Sequence, residues 1–214
     1  MTSILTAQIE TRGTEQGPRP GVSRLERRKA RTRDLILDSA LELFERHGFD
    51  ATSIADISTR ADVGIGTVYG YYPSKDDLLV AVLSELSKDL GRRLLFAATV
   101  GMSWLDRLSA SLQTQADFIR SHARIILAMY ELNARRPGVL LQFSGLVTYY
   151  ADLLRDGIAR RECRPLPVDT TARALVSLHS LSALEIGVWC NGSDRSSLEA
   201  DLKEFVGALL DVRI

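Results

Sequence analysis

Apolar residues recur at helical spacing along nearly all of this 214-residue chain, and no stretch alternates as a half-buried strand would. The chain can therefore fold only as amphipathic helices laid against one another. Breakers at Gly48, Asp62-Val63-Gly64, Pro73, Gly101, Pro137-Gly138, Pro165 with Pro167, and Asn191-Gly192-Ser193 cut the pattern into segments. The first helix is expected over about 29–47, with Ile36, Leu37, Ala40, Leu41 and Phe44 on one face and Gly48 as its left-handed stop. A short helix follows Ser53, whose spacing to Asp56 resembles a capping box, and ends near Ala61. Ile65 to Tyr72 leaves room for two turns before Pro73. Ser74-Lys75-Asp76-Asp77 opens a fourth helix that reaches the mid-90s, and further helices are expected near 103–120, 122–135, 138–162, 169–190 and 196–212. The expected fold class is all-α, with about nine helices.

Composition narrows the function classes. At 45% hydrophobic the chain can bury a real core, and 27 basic against 27 acidic residues remove any bulk-charge argument for nucleic acid or a membrane. The exception is local: Arg19, Arg24, Arg27, Arg28, Lys29, Arg31 and Arg33 are opposed only by Glu26. Residues 1–23 read as a tail whose basic arm continues to about 33, either solvated or facing phosphates. Cys163 and Cys190 form no disulfide framework, and His47, His122 and His179 lie singly without metal-ligand spacing, so no metal and no cofactor are expected. With no secretory leader and no apolar run of membrane length, the expected location is cytoplasmic.

Helix, turn, helix over residues 53–72 is the arrangement that presents a second helix to a DNA major groove, where small residues at its leading end allow close approach to base edges. Gly66 and Thr67 suit that end, and Tyr69 and Tyr71 would offer hydroxyls to phosphates while Val68 and Tyr72 turn back into the core. Lys75 stands in the first turn of its helix, a poor place for a cation unless a phosphate binds there, and Thr52 and Ser53 offer a similar anion site at the second helix.

The order Arg33, Ile36, Ala40, Phe44, Gly48, Thr52, Ile57, Ala61, Val63, Gly66, Thr67, Tyr69, Tyr72, Ser74, Lys75 and Leu78 closely resembles the N-terminal DNA-binding domain of TetR-type transcriptional regulators. The resemblance implies a three-helix head at 24–80, joined by a long fourth helix to a ligand-binding and dimerisation bundle at 81–214. It implies DNA-backbone contacts from Thr52, Tyr69, Tyr71 and Lys75, and with the arm and the leading end of the second helix the full DNA-binding set expected is Arg31, Arg33, Thr52, Ser53, Ile65, Gly66, Thr67, Tyr69, Tyr71 and Lys75. Family members usually carry Gly where Asp62 stands and often Ser where Gly64 stands, and commonly His or Tyr where Gly70 and Tyr71 fall.

No nucleophile elbow, phosphate loop or paired carboxylates occur beyond residue 101, so no catalytic residue and no enzyme activity are expected. Trp104, Phe118, His122, Tyr130, Asn133, Gln142, Phe143, Leu146, Tyr149, Tyr150 and His179 are the residues expected to supply a small-molecule cavity. Leu175, Leu178, Ala183, Ile186 and Gly187, with Leu202, Phe205 and Leu209, are expected to pair with a second copy as a four-helix interface. The function expected is a repressor released from a palindromic double-stranded DNA operator by a small-molecule effector. The alternative is an all-helical ligand-binding or protein-interaction module without DNA binding.

Overall fold

The computed structural model describes residues 23–97, 102–188, 204, 206–208 and 210, and among them all regular structure is helical. The chain divides into a first unit ending at Asp34 and a second beginning at Leu35.

The first helix, α1 (Arg24–His47), starts earlier than its apolar pattern implies. Its start is set by a reciprocal cap: the Ser23 amide donates to Glu26 Oε2 at 2.8 Å and the Glu26 amide donates to Ser23 Oγ at 3.1 Å. These bonds hold the Glu26 carboxyl below its ordinary pKa. Within the first unit Arg24, Arg27, Arg28 and Arg31 repeat at i, i+3, i+4, i+7 and are all exposed, forming one basic stripe.

In the second unit, α1 buries Ile36, Leu37, Ala40 and Phe44 in one hydrophobic cluster with Ile54 and Ile57 of α2 (Ile54–Arg60) and Val68 of α3 (Ile65–Tyr71). The long α4 (Lys75–Ala97) buries Leu78, Leu79, Val82, Leu83, Leu86, Leu90 and Leu94, a stripe that runs from the head into the bundle. The bundle continues with α5 (Trp104–Ser121), α6 (Ala123–Arg135), α7 (Ser144–Ala159) and α8 (Val168–Val188), with α5 and α7 both packed on α8.

One expected helix is corrected. The span 138–162 is not continuous, because Gly138 is left-handed at φ 102 and the chain first makes a 3-10 helix, Val139–Phe143. The side chain of Asn133 holds this corner, its Oδ1 accepting from the amides of Gly138 and Leu140. Of the expected last helix, residues 204, 206–208 and 210 are described and are helical; the remainder lies outside the described residues. Among the described residues no helix is long and apolar enough to cross a membrane.

Candidate nucleic-acid interface and bundle cavity

The turn between α2 and α3 is built from backbone bonds. The Asp62 amide donates to Thr59 O and the Val63 amide to Ser58 O at 3.0 Å, which turns Asp62 into the left-handed region at φ 53. Asp tolerates this conformation better than most residues, though less well than Gly. Gly64 is the extended N-cap of α3 and supplies no side-chain cap.

From that cap, α3 divides cleanly into two faces. Val68 is fully buried and Tyr72, its C-cap, is nearly so. On the outer face Ile65 is 46% and Tyr69 49% exposed, with Gly66, Thr67 and Gly70 also exposed. Large apolar surface left open on so short a helix is what a partner would cover. Tyr71 is half-buried, its ring centroid 6.4 Å from that of Tyr72. Arg31 and Arg33 are exposed and belong to the first unit.

Three anion-site expectations are corrected. Thr52 is buried, and its hydroxyl donates to the Gly48 carbonyl at 2.8 Å, so it fastens the end of α1 instead of facing outward. Ser53 is exposed, but its Oγ accepts from the Asp56 amide and donates to Asp56 Oδ2 at 2.6 Å. The positive end of α2 is thus already matched by an internal carboxylate, whose pKa these Ser53 bonds depress. Lys75 lies over the Phe49 ring, 4.4 Å from its centroid, and its Nζ donates to the carbonyls of Phe49 at 2.8 Å and Thr52 at 3.0 Å, with a longer contact to Asp50 O. Its donors are spent inside the subunit. The Ser74–Asp77 pair caps the same helix end, Ser74 Oγ donating to Asp77 Oδ2 and accepting from the Asp77 amide.

A cavity of ≈ 430 Å³ opens within the bundle between α4, α5, α6, the 3-10 helix, α7 and α8. It brings together Phe118, Tyr130, Phe143 and Leu146 of the expected set. The other members are corrected. Trp104 is fully buried, donates from Nε1 to Leu153 O at 2.7 Å, and lies so close to Gly157 that an added Cβ there would sit 2.3 Å from Trp104 Cε2. Asn133 serves the corner, and Gln142 is half-buried with its carbonyl accepting from Ser87 Oγ. Tyr149 is bonded to Ser111 at 2.6 Å and Tyr150 is sealed in the core. His179 is buried with Nε2 against Leu112 O at 2.7 Å, and His122 is bonded to Glu45. Pattern reading missed Arg173, Ser177 and Ser180 of α8, which line the cavity at i, i+4, i+7. The apolar periodicity of α8 does not mark them.

The expected dimer residues separate as well. Leu175 and Ala183 are buried inside their own subunit, which corrects their assignment, whereas Leu178 is 38% exposed and Leu181, further along the same helix, 53%. The side chain of Ile186 and the burial of Gly187, and Leu202, Phe205 and Leu209, lie outside what is described.

The helix α6 touches the head at both ends. At its start, Arg124 donates to the carbonyls of Glu45 and Arg46 in the last turns of α1; beyond its last turn, Arg136 Nη1 donates to Asp77 Oδ1 at 2.7 Å. Between those ends Ile126, Met129 and Tyr130 face the cavity.

Residues 36–82 match the family model described as bacterial regulatory proteins, tetR family. The chain is 28% identical over 153 residues to the HTH-type transcriptional repressor KstR2 of Mycolicibacterium smegmatis, covering 67% of this chain and 74% of that protein. It is 26% identical over 184 residues to the HTH-type transcriptional regulator TcmR of Streptomyces glaucescens, covering 83% and 79%. A transcriptional regulator of Saccharomonospora viridis, solved in complex with choline, shares the fold at TM-score 0.72 with 20% identity, over 83% of this chain and 96% of that one.

Proposed function

This chain belongs to the TetR family and is a DNA-binding transcriptional regulator, and from that premise we propose that it is a homodimeric repressor released from its operator by a small molecule bound in the bundle cavity. The observation that carries the reading is the outer face of α3. Ile65, Gly66, Thr67 and Tyr69 stand open on a helix whose inner face is locked by Val68 and Tyr72. A head that served only as packing would bury that surface.

One short helix makes too few base contacts for specificity, so two copies read a palindrome with their heads roughly 34–36 Å apart. The exposed Leu178 and Leu181 offer α8 as part of the surface joining the copies. The basic stripe Arg24, Arg27, Arg28 and Arg31 adds sequence-independent phosphate contacts. That KstR2 is named a repressor, and that the Saccharomonospora viridis protein holds choline, favours repression relieved by a ligand. Release works through the helices that share the cavity with the head: α4 contributes Leu90, and α6 is tied to α1 and to Asp77. A ligand that binds better when these helices shift moves the equilibrium between the two head spacings by its difference in affinity for the two states and no more.

The experiment is a mobility-shift titration of the purified protein on the DNA upstream of its own gene, with Thr67→Ala and Tyr69→Ala beside it. A retarded dimer complex, weakened by both substitutions, is the expected outcome. A dimer indifferent to sequence at low salt would sink the proposal.

A further inference from the structure

The cavity has one polar wall. Across α4, α5, α6 and α7 it meets mainly apolar and aromatic side chains, among them Leu90, Phe118, Ile126, Met129 and Val147. Along α8 it meets Arg173, Ser177 and Ser180, one above another at successive turns, with Val176 and Leu181 beside them. Among the described residues of the lining Arg173 alone is charged; it is solvent-exposed and makes no hydrogen bond or ion pair with another described residue. Ser180 Oγ accepts from Gln115 Nε2 at 2.9 Å, which leaves its own hydrogen to donate into the space. Gln115 is itself completely buried, so that hydroxyl is held in place from behind.

A ligand that satisfies these walls has an apolar body and, at one end, an acceptor-rich anion. A guanidinium repels a cation and gains less from a neutral acceptor than from a carboxylate, which accepts two parallel N–H bonds from it. We propose that this cavity takes an amphipathic anion, an apolar chain or ring system ending in a carboxylate, with Arg173 holding the acid group and Ser177 and Ser180 lining the path between it and the apolar floor. The volume of ≈ 430 Å³ falls within the range of small-molecule pockets and suits a body of medium chain length. This proposal rests on the cavity being the effector site.

The test uses the full-length protein and three probes of matched length, decanoate, 1-decanol and decyltrimethylammonium, titrated calorimetrically below their aggregation limits against wild type and Arg173→Gln. The expected result is that decanoate binds about tenfold more tightly than decanol, as a charge-assisted pair implies, with the ammonium weakest. Arg173→Gln should bring decanoate to the level of decanol and leave decanol unchanged. Decanol or the ammonium matching decanoate on the wild type overturns the anionic class. So does equal loss of decanoate and decanol in the variant, which marks a packing role for Arg173, and so does absence of binding by all three. Decanoate bound through Arg173 while DNA affinity stays constant in the same titration upholds the ligand class and overturns the effector reading instead.

Discussion

Nδ1 of His122 lies 2.6 Å from Glu45 Oε1, and this contact joins the corner between α5 and α6 to the last turn of α1. His122 is mostly buried and Glu45 about one-third exposed, so the pair is shielded on one side only. Together with Arg124 on the adjacent carbonyls, it fixes where the head meets the bundle. A double-mutant cycle with Glu45→Ala and His122→Ala in urea denaturation should give a coupling of about 0.5–1 kcal/mol. Additive single effects would mean that the contact carries no coupling.

Asp62 occupies a left-handed position and Gly64 caps α3 without a side chain, so each is the less favourable choice for its place. Asp62→Gly should stabilise the protein by about 0.5–1 kcal/mol, relief of the backbone outweighing the added freedom of the unfolded chain. Gly64→Ser should add a few tenths more through a cap on α3. There is room for it, since a Cβ at Gly64 would meet only Thr67 Oγ1 at 3.8 Å. Both changes are read as a rise in the urea midpoint at constant slope. A fall in the midpoint for Asp62→Gly would show that the Asp62 side chain holds the turn.

The helices and the turn were legible because each follows from local periodicity and breakers. Within α3 Val68 and Tyr72 are buried while Ile65 and Tyr69 are exposed, a division that their shared i, i+3, i+4, i+7 spacing does not itself make. What was not legible depends on contacts far apart in sequence. Nothing near Lys75 shows that the carbonyls of Phe49 and Thr52, 26 and 23 residues earlier, fold over its amine. Likewise, residue type cannot tell Phe118, which faces the cavity, from Trp104, which fills the core beside Gly157. The break at 138–144 needed the Asn133 side chain, a polar residue that periodicity assigns to no task.

Because Lys75 is spent on carbonyls, its removal should be felt first as lost stability. Lys75→Met, which keeps the alkyl packing on Phe49, should cost about 1–2 kcal/mol in denaturation. It should leave the salt dependence of DNA binding nearly unchanged, whereas a phosphate clamp would reduce the slope by about 0.9. The stripe behaves in the opposite way: Arg27→Ala with Arg28→Ala should lower the slope by up to about 2 while stability barely moves. Equal slopes for the Arg27/Arg28 variant and wild type, measured by fluorescence anisotropy, would remove the stripe from the interface.

His179 titrates below its ordinary value of 6.5, chiefly because burial disfavours the imidazolium, with the Leu112 carbonyl opposing and the Arg120 charge assisting the shift. The unfolded chain therefore binds the extra proton first. Stability from this group is complete above about pH 6.5 and is lost as the pH falls from there through the depressed native value. Asp56, Asp77, Asp89 and Asp156 are also depressed, from 3.8, and remove stability only in a lower, separate window. Denaturation midpoints between pH 7 and pH 5 should fall for the wild type and flatten for His179→Gln. An equal fall in both proteins would assign the loss elsewhere.

Gly157 lies within α7, where alanine is ordinarily the better residue by about 1 kcal/mol. Here the sign reverses. The Trp104 indole rests against the Gly157 backbone, and a Cβ would come within 2.3 Å of Cε2, 2.6 Å of Nε1 and 2.7 Å of Cζ2. The ring cannot simply turn away, because its Nε1–H is bonded to Leu153 O and the side chain is fully enclosed. Gly157→Ala must push α5 and α7 apart or break that bond, at a net cost of about 1–3 kcal/mol. Trp104→Phe alone should also destabilise, through the carbonyl it leaves behind, but it shortens the ring at the crowded position. Gly157→Ala should therefore cost less in a Trp104→Phe background than in the wild type. Stabilisation of the wild type by Gly157→Ala, or an identical cost in both backgrounds, would show that the indole does not set the spacing of these two helices.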